Sequence, residues 1–270
     1  MSINSPDNSF DFKLLVLFYI TLILKMALYL FPISYKYRAR LFGRHGKMND
    51  FNYASSIFYK HVSLIDTPES DLSVLEIGPG DSCFTVYYAL INNFKFCQLI
   101  DKDISSTIGS LSSLINKNVL IERLSNLNFK LTLGNNSLIL ELIEHSFDKP
   151  LMNDPHVFTH IFSNAVCQHM PVSQLKNLFN YIYICSSIHT EISHQIRFTD
   201  HIIGPLQGFY HKHVPSFIWN TNLLQSFPFW TNRLLFDEYS DLFFEYGFKL
   251  NNCGVADSSV HNFHFKLLKR

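Results

Sequence analysis

The chain has 270 residues, 47% of them apolar and 16% charged, so it can bury a sizeable core and is not disordered in bulk. Its 22 Lys and Arg balance 22 Asp and Glu, so the positive excess of proteins that grip nucleic acid through its phosphates is absent. Five scattered cysteines (Cys83, Cys97, Cys167, Cys185, Cys253) include no C-x-x-C pair. They exclude a disulfide framework and a zinc module, and they fit a reducing compartment.

Leu14 to Phe31 is apolar apart from Thr21 and Lys25. As a helix it would be roughly 27 Å long, near the lower limit for crossing a bilayer core. Lys36, Arg38, Arg40, Arg44 and Lys47 follow it, whereas Asp7, Asp11 and only Lys13 precede it. A secretory signal has the reverse order. Under the positive-inside rule the remaining chain is expected in the cytoplasm. Two readings stand for residues 1–32. One is a membrane anchor, spanning or interfacial, with the basic stretch on anionic headgroups. The other is a helix packed on the protein itself or on a partner. Residues 33–71 read as a helical lead-in.

From residue 72 strands and helices alternate. Ser73 to Ile77 is a short buried strand, Phe84 to Asn92 a helix, and Phe96 to Ile100 a second strand ending at Asp101. His156 to Phe162 is a further strand. Val172 to Ile184 is a helix with Leu175, Leu178, Phe179 and Ile182 on one face. Tyr239, Leu242, Phe243 and Tyr246 repeat that spacing, and Gly247 stands at the helix C′ position. Phe263, Phe265 and Leu267 alternate with polar residues, predicting a strand hairpin-paired with Phe248 to Asn252. The expected fold is α/β: a Rossmann-like, doubly wound, mostly parallel sheet with an antiparallel edge strand. The aromatic, proline- and histidine-rich segment 201–233 reads either as a lid over a substrate or as a loop that packs a surface.

Val74 to Ser82, VLEIGPGDS, is the most informative stretch. A strand runs into Gly78-Pro79-Gly80-Asp81 and then a helix, a turn whose backbone can approach a ligand without a Cβ in the way. Asp101 ends the next strand 23 residues after Gly78, about where a carboxylate accepts from ribose hydroxyls in nucleoside-cofactor folds. Cys83 stands where a pyrophosphate cofactor wants its third glycine, which weakens a nicotinamide or flavin reading.

Glu76-x-Gly78-x-Gly80 resembles the first motif of class I S-adenosylmethionine (SAM)-dependent methyltransferases. The resemblance implies a seven-stranded sheet. It also implies that Glu76 supports the glycine loop and the methionine end of SAM, while Asp101 holds the ribose. His160 to Pro171, HIFSNAVCQHMP, is similar to the fourth strand and turn of that family, which adds Ser163 and Asn164 to the implied cofactor site. Ser193 to His201 and Thr231-Asn232-Arg233 are similar to the HQIxxxDH and TNR motifs of one subgroup, some of whose members lie near polysaccharide gene clusters. The similarity covers about residues 72–250, within a methyltransferase domain taken as 72–270. Ser82 replaces a third glycine, Gln168 a glutamate and Arg197 an aspartate of the pattern.

Methyl transfer to an alcohol needs positioning, exclusion of water and a base for the acceptor proton. His169, His194 and His201 are the candidate bases, with Asp200 able to orient one of them. Each histidine also has a structural reading as a hydrogen-bonded residue. Arg197 and Arg233 can bind a carboxylate, phosphate or sugar acid through the guanidinium fork; Arg233 can instead pair with Asp237 or Glu238. His211 and His213 flank Lys212 in loop-like sequence, and no metal is expected. Trp219, Trp230, Phe217 and Tyr210 either stack on a sugar or fill a core. The expected activity is O-methylation of a glycan or lipid-linked sugar, with membrane-surface contact through the N-terminal helix. A small lipophilic acceptor, a nicotinamide-dependent reductase and an inactive cofactor-binding scaffold are the alternatives.

Overall fold

The computed structural model describes residues 12–30, 50–62, 72–151, 156–199, 202, 210–227, 229–257 and 260–267. Helix α1 spans Phe12–Leu30 and α2 Phe51–His61. Then come β1 (Ser73–Ile77), α3 (Phe84–Ile91), β2 (Phe96–Asp101), α4 (Ser105–Ser110) and α5 (Ser112–Ile115). Strands β3 (Leu120–Arg123), β4 (Asn128–Leu133), β5 (Asn136–Glu144) and β6 (Phe158–Asn164) follow, with a 3-10 turn at Cys167–His169. Helix α6 (Val172–Ile184) leads into β7 (Ser186–Arg197). A 3-10 turn at Tyr210–His213 and the short helices α7 (Ser216–Trp219) and α8 (Asn222–Gln225) precede α9 (Phe236–Glu245). The chain closes with β8 (Phe248–Asp257) and β9 (Val260–Leu267).

Among the described residues nine strands form one sheet, in the order β3-β4-β5-β2-β1-β6-β7-β9-β8. The five strands β5-β2-β1-β6-β7 run parallel. β9 pairs antiparallel with both β7 and β8. The mostly parallel α/β sheet and its C-terminal hairpin match the expectation, with two differences. The antiparallel strand β9 lies inside the sheet and β8 is the edge, because the hairpin docks through its second strand. On the other side, β4 pairs antiparallel with β5 and carries β3 outward. The β4–β5 turn places Gly134 at φ 58° in its first central position, where a type II′ turn requires a glycine.

Both faces of the parallel strands are covered, and apolar side chains from these strands feed a core on each face. On one face Val74, Leu99 and Leu140 pack with Ala54 and Phe58 of α2 and Phe84 and Leu90 of α3. On the other, Leu75, Ile77 and Ile100 pack with Leu175, Phe179 and Ile182 of α6 and Tyr239 and Phe243 of α9. Asp50 starts α2 by accepting from the amide of Asn52 at 2.8 Å. Gly247, at φ 82°, ends α9 at the position where the left-handed conformation is needed.

A third cluster joins the two ends of the sequence pattern. Phe18 and Leu22 of α1 are buried against Trp219, Leu224, Phe227, Phe229 and Trp230. Each indole N–H finds a carbonyl: Trp219 Nε1 donates to Thr231 O at 2.7 Å and Trp230 Nε1 to Trp219 O at 2.8 Å. These two tryptophans therefore fill a core, whereas Phe217 is 79% exposed. The described part of the expected lid is thus a packed layer around α1.

Among the described residues no helix is long and apolar enough to cross a membrane. The spanning reading of residues 14–31 is corrected accordingly: this helix packs on the protein's own aromatic segment. It is apolar on its outward side as well. Phe12, Val16, Leu17, Ile20, Ile23, Leu24 and Leu30 are exposed, while Lys25 turns inward to lie 5.9 Å from the Phe229 ring centroid.

Candidate active site

The carboxyl ends of β1, β2 and β6 converge where a doubly wound sheet places its ligands. Gly78 and Gly80 both have positive φ, 68° and 70°, a conformation that glycine adopts without strain. The Gly78 amide donates to Ile100 O at 2.8 Å, which ties the loop to the end of β2. A Cβ on Gly80 would meet nothing within 4 Å, so the loop is open on that side.

Asp101 faces this opening. Its Oδ2 accepts from the Gly80 amide at 3.2 Å and its Oδ1 from the Asp103 amide at 3.3 Å. Burial raises its pKa, and the backbone donors pull the other way. Thr107 Oγ1 donates to Gly80 O at 2.8 Å, so α4 fixes the loop from the far side.

Glu76 is 2% exposed and lies beneath the loop rather than at its open edge. Thr85 Oγ1 donates to its carboxylate. Burial, with a smaller contribution from the Asp101 charge, pushes its pKa up to about 8. Glu76 therefore holds a proton near neutrality and braces β1 against α3. Pro79 is buried and Asp81 half-buried in the turn.

The β6 residues alternate between the two faces of the sheet. Ser163 is fully buried, and its Oγ lies 2.7 Å from His194 Nδ1. His194 is itself fully buried, its ring 5.4 Å from that of Phe243. The side chains of Ser163 and His194 thus belong to the apolar core under α6 and α9. Asn164 points to the opposite face, where its Oδ1 lies 3.4 Å from His61 Nε2. His61 Nδ1 is 2.8 Å from Ser193 Oγ, and its ring stacks on Phe162. No sequence motif singled out His61; only the tertiary packing of α2 brings it to the end of β6.

His169 remains at the edge, half-buried in the turn after β6. Its Nδ1 lies 2.6 Å from Trp230 O. A carbonyl only accepts, so Nδ1 carries the proton and Nε2 is the basic nitrogen of the neutral ring. The group that orients this histidine is a backbone carbonyl. Asp200 and His201 lie outside the described residues.

The 230–232 segment is laced to the His169 turn. The Asn232 amide donates to Gln168 O at 2.8 Å, and Asn232 Nδ2 to Cys167 O and Met170 O, both at 2.9 Å. Arg233 follows, with φ 64°. It pairs with neither Asp237 nor Glu238; Glu238 instead accepts from the Leu235 amide at the start of α9 at 2.7 Å. The Arg233 guanidinium lies over Trp219, 4.7 Å from the ring. Arg197 ends β7 opposite Val260 of β9, half-buried. His211 is buried and His213 exposed. Among the described residues no group of three His, Cys, Asp or Glu is placed to hold a metal.

No family model and no curated protein matches the chain. Solved structures do match it in fold. The mitomycin 7-O-methyltransferase MmcR is 10% identical with a TM-score of 0.54, over 87% of this chain and 58% of that one. The PH0226 protein of Pyrococcus horikoshii is 11% identical with a TM-score of 0.55, over 87% of this chain and all of that one. A candidate SAM-dependent methyltransferase of Listeria monocytogenes is 10% identical with a TM-score of 0.51, over 80% of this chain and 98% of that one. The chain thus spans 58% of MmcR and nearly all of the other two. The chain shares its fold with these three proteins.

Proposed function

We propose that the protein is a SAM-dependent methyltransferase acting on a hydroxyl of a glycan or lipid-linked sugar. The observation that carries the reading is the tie between Gly80 and Asp101. An open glycine turn and a carboxylate aimed at it stand on a sheet shared with such enzymes. SAM, when bound, supplies a methyl group on a positively charged sulfur. Asp101 would hold the ribose, Gly78 to Asp81 would line the ligand, and Asn164 would close the far side. Ser163 contributes through its backbone only.

The chain's own work is then to position the acceptor and take up its proton. His169 serves as the base, because Trp230 O sets its tautomer and leaves the basic nitrogen at Nε2. His61 holds Asn164 from below. The lipid-linked form of the acceptor draws support from α1, whose outward apolar face suits contact with a cytoplasmic membrane surface.

Calorimetry on the full chain tests the cofactor. Micromolar SAM binding is expected, with loss in Gly78→Arg. Asp101→Asn removes a charged acceptor worth about 1.5–3 kcal/mol and weakens binding roughly ten- to a hundredfold. A folded wild-type protein that binds no SAM would overturn the proposal.

A further inference from the structure

Arg233 has two buried nitrogens, Nε and Nη2, with no hydrogen-bond partner among the described residues. These two N–H groups point along one edge of the guanidinium, the edge that takes both oxygens of a carboxylate or phosphate side by side. Arg233 as a whole is half-buried, but N–H groups shut away from water without acceptors are costly. Burial also lowers the Arg233 pKa to about 10, the direction expected of a guanidinium with no anion beside it.

The surroundings hold that edge in place. The ring of Trp219 covers one face of the guanidinium. Trp219 is itself fixed, through Nε1, to the carbonyl of Thr231. The backbone of Arg233 sits at φ 64°, a conformation that costs a non-glycine residue energy and persists where its surroundings impose it. Two further buried side chains on the same laced strip, Gln168 and Thr231, have polar atoms unpartnered among the described residues. Buried unsatisfied groups are rare in folded proteins, and a bound ligand is one way in which they are satisfied. Trp230, three residues before Arg233, is the residue whose carbonyl orients His169.

We infer that Arg233 and Trp219 form an oxyanion subsite beside the His169 base, and that the acceptor carries a carboxylate or phosphate group near the hydroxyl that is methylated. A uronic acid or a sugar phosphate has that chemistry. The substrate class rests on the methyltransferase reading; the oxyanion subsite does not.

The test is calorimetry and thermal shift on the full chain, with inorganic phosphate and with glucuronate as probes, against sodium chloride at equal ionic strength. Saturable binding of at least one probe is expected, weakened tenfold or more in Arg233→Gln. Arg233→Lys keeps the charge but loses the fork, and an intermediate loss is expected. SAM affinity should stay within about twofold of wild type in both variants. Preference for one probe identifies the oxyanion as phosphate or carboxylate. If folded wild-type protein binds neither probe, or if Arg233→Gln binds them as well as wild type, the subsite is wrong. If Arg233→Gln fails to fold, Arg233→Lys decides: undiminished probe affinity there rejects the fork. Probe binding without SAM binding would overturn the methyltransferase reading and leave the subsite standing.

Discussion

A Cβ placed on Gly78 would stand 2.4 Å from Cγ2 of Val166. The glycine loop after β1 and the turn after β6 are thus in direct contact, and only a hydrogen at Gly78 allows it. Gly80 has a similar φ, 70°, and open space where its Cβ would be. The two glycines therefore predict different outcomes. Gly80→Ala should cost about 1 kcal/mol from backbone strain alone. Gly78→Ala should cost more, by the added displacement of Val166, and Val166→Ala should recover part of that excess. Urea denaturation of the single and double variants measures the coupling directly; additive effects would mean the contact is not felt.

Glu76 gives the protein a pH dependence of defined sign. Its pKa moves from 4.5 to about 8 on burial, so between those values the native state holds a proton that the unfolded chain has released. Linkage then makes stability fall as pH rises. The contribution of Glu76 is present in full below about 4.5 and is lost as pH climbs toward 8. Thermal midpoints taken from pH 5 to 9 should decline more steeply in wild type than in Glu76→Gln. Parallel curves would show that the carboxyl is ionised throughout.

The packing of α1 separates two apolar residues that are close in sequence. Phe18 is fully buried, and Ile20 is 51% exposed. Phe18→Ala should destabilise the protein by about 3–5 kcal/mol, or as much of that as the α1 layer contributes to the cooperative unit. Ile20→Ser should stay within about 0.5 kcal/mol of wild type. Equal effects at the two positions would contradict the observed orientation of the helix.

The parts of this fold that were legible in the sequence are those governed by local pattern. β1 and α6 have the expected boundaries, because a short apolar run before Gly-Pro-Gly and a four-residue apolar stripe each allow one reading. The place of Asp101 at the end of β2 was legible because an apolar run leads up to it. The β3–β4 hairpin was missed, although Gly134 marks its turn into β5, since its strands are short and partly exposed. At the site the limit was strand parity. Ser163 and Asn164 are neighbours in one motif, yet a period of two sends them to opposite faces of the sheet, and His194 goes with Ser163. His61 and the Trp230 carbonyl act through contacts across 103 and 61 residues, a range at which periodicity is silent.

The outward apolar side of α1 also bears on how molecules of this protein meet in solution. Its outward side offers hydrocarbon along most of the helix, and the chain as a whole has a formal net charge of zero at pH 7. Nothing electrostatic then holds two copies apart, and the face that touches first is the one that gains most from leaving water. Among the described residues the outward side of α1 is therefore a face that favours self-association near neutrality. Charge placed on the outward positions of α1 would help to keep concentrated solutions dispersed.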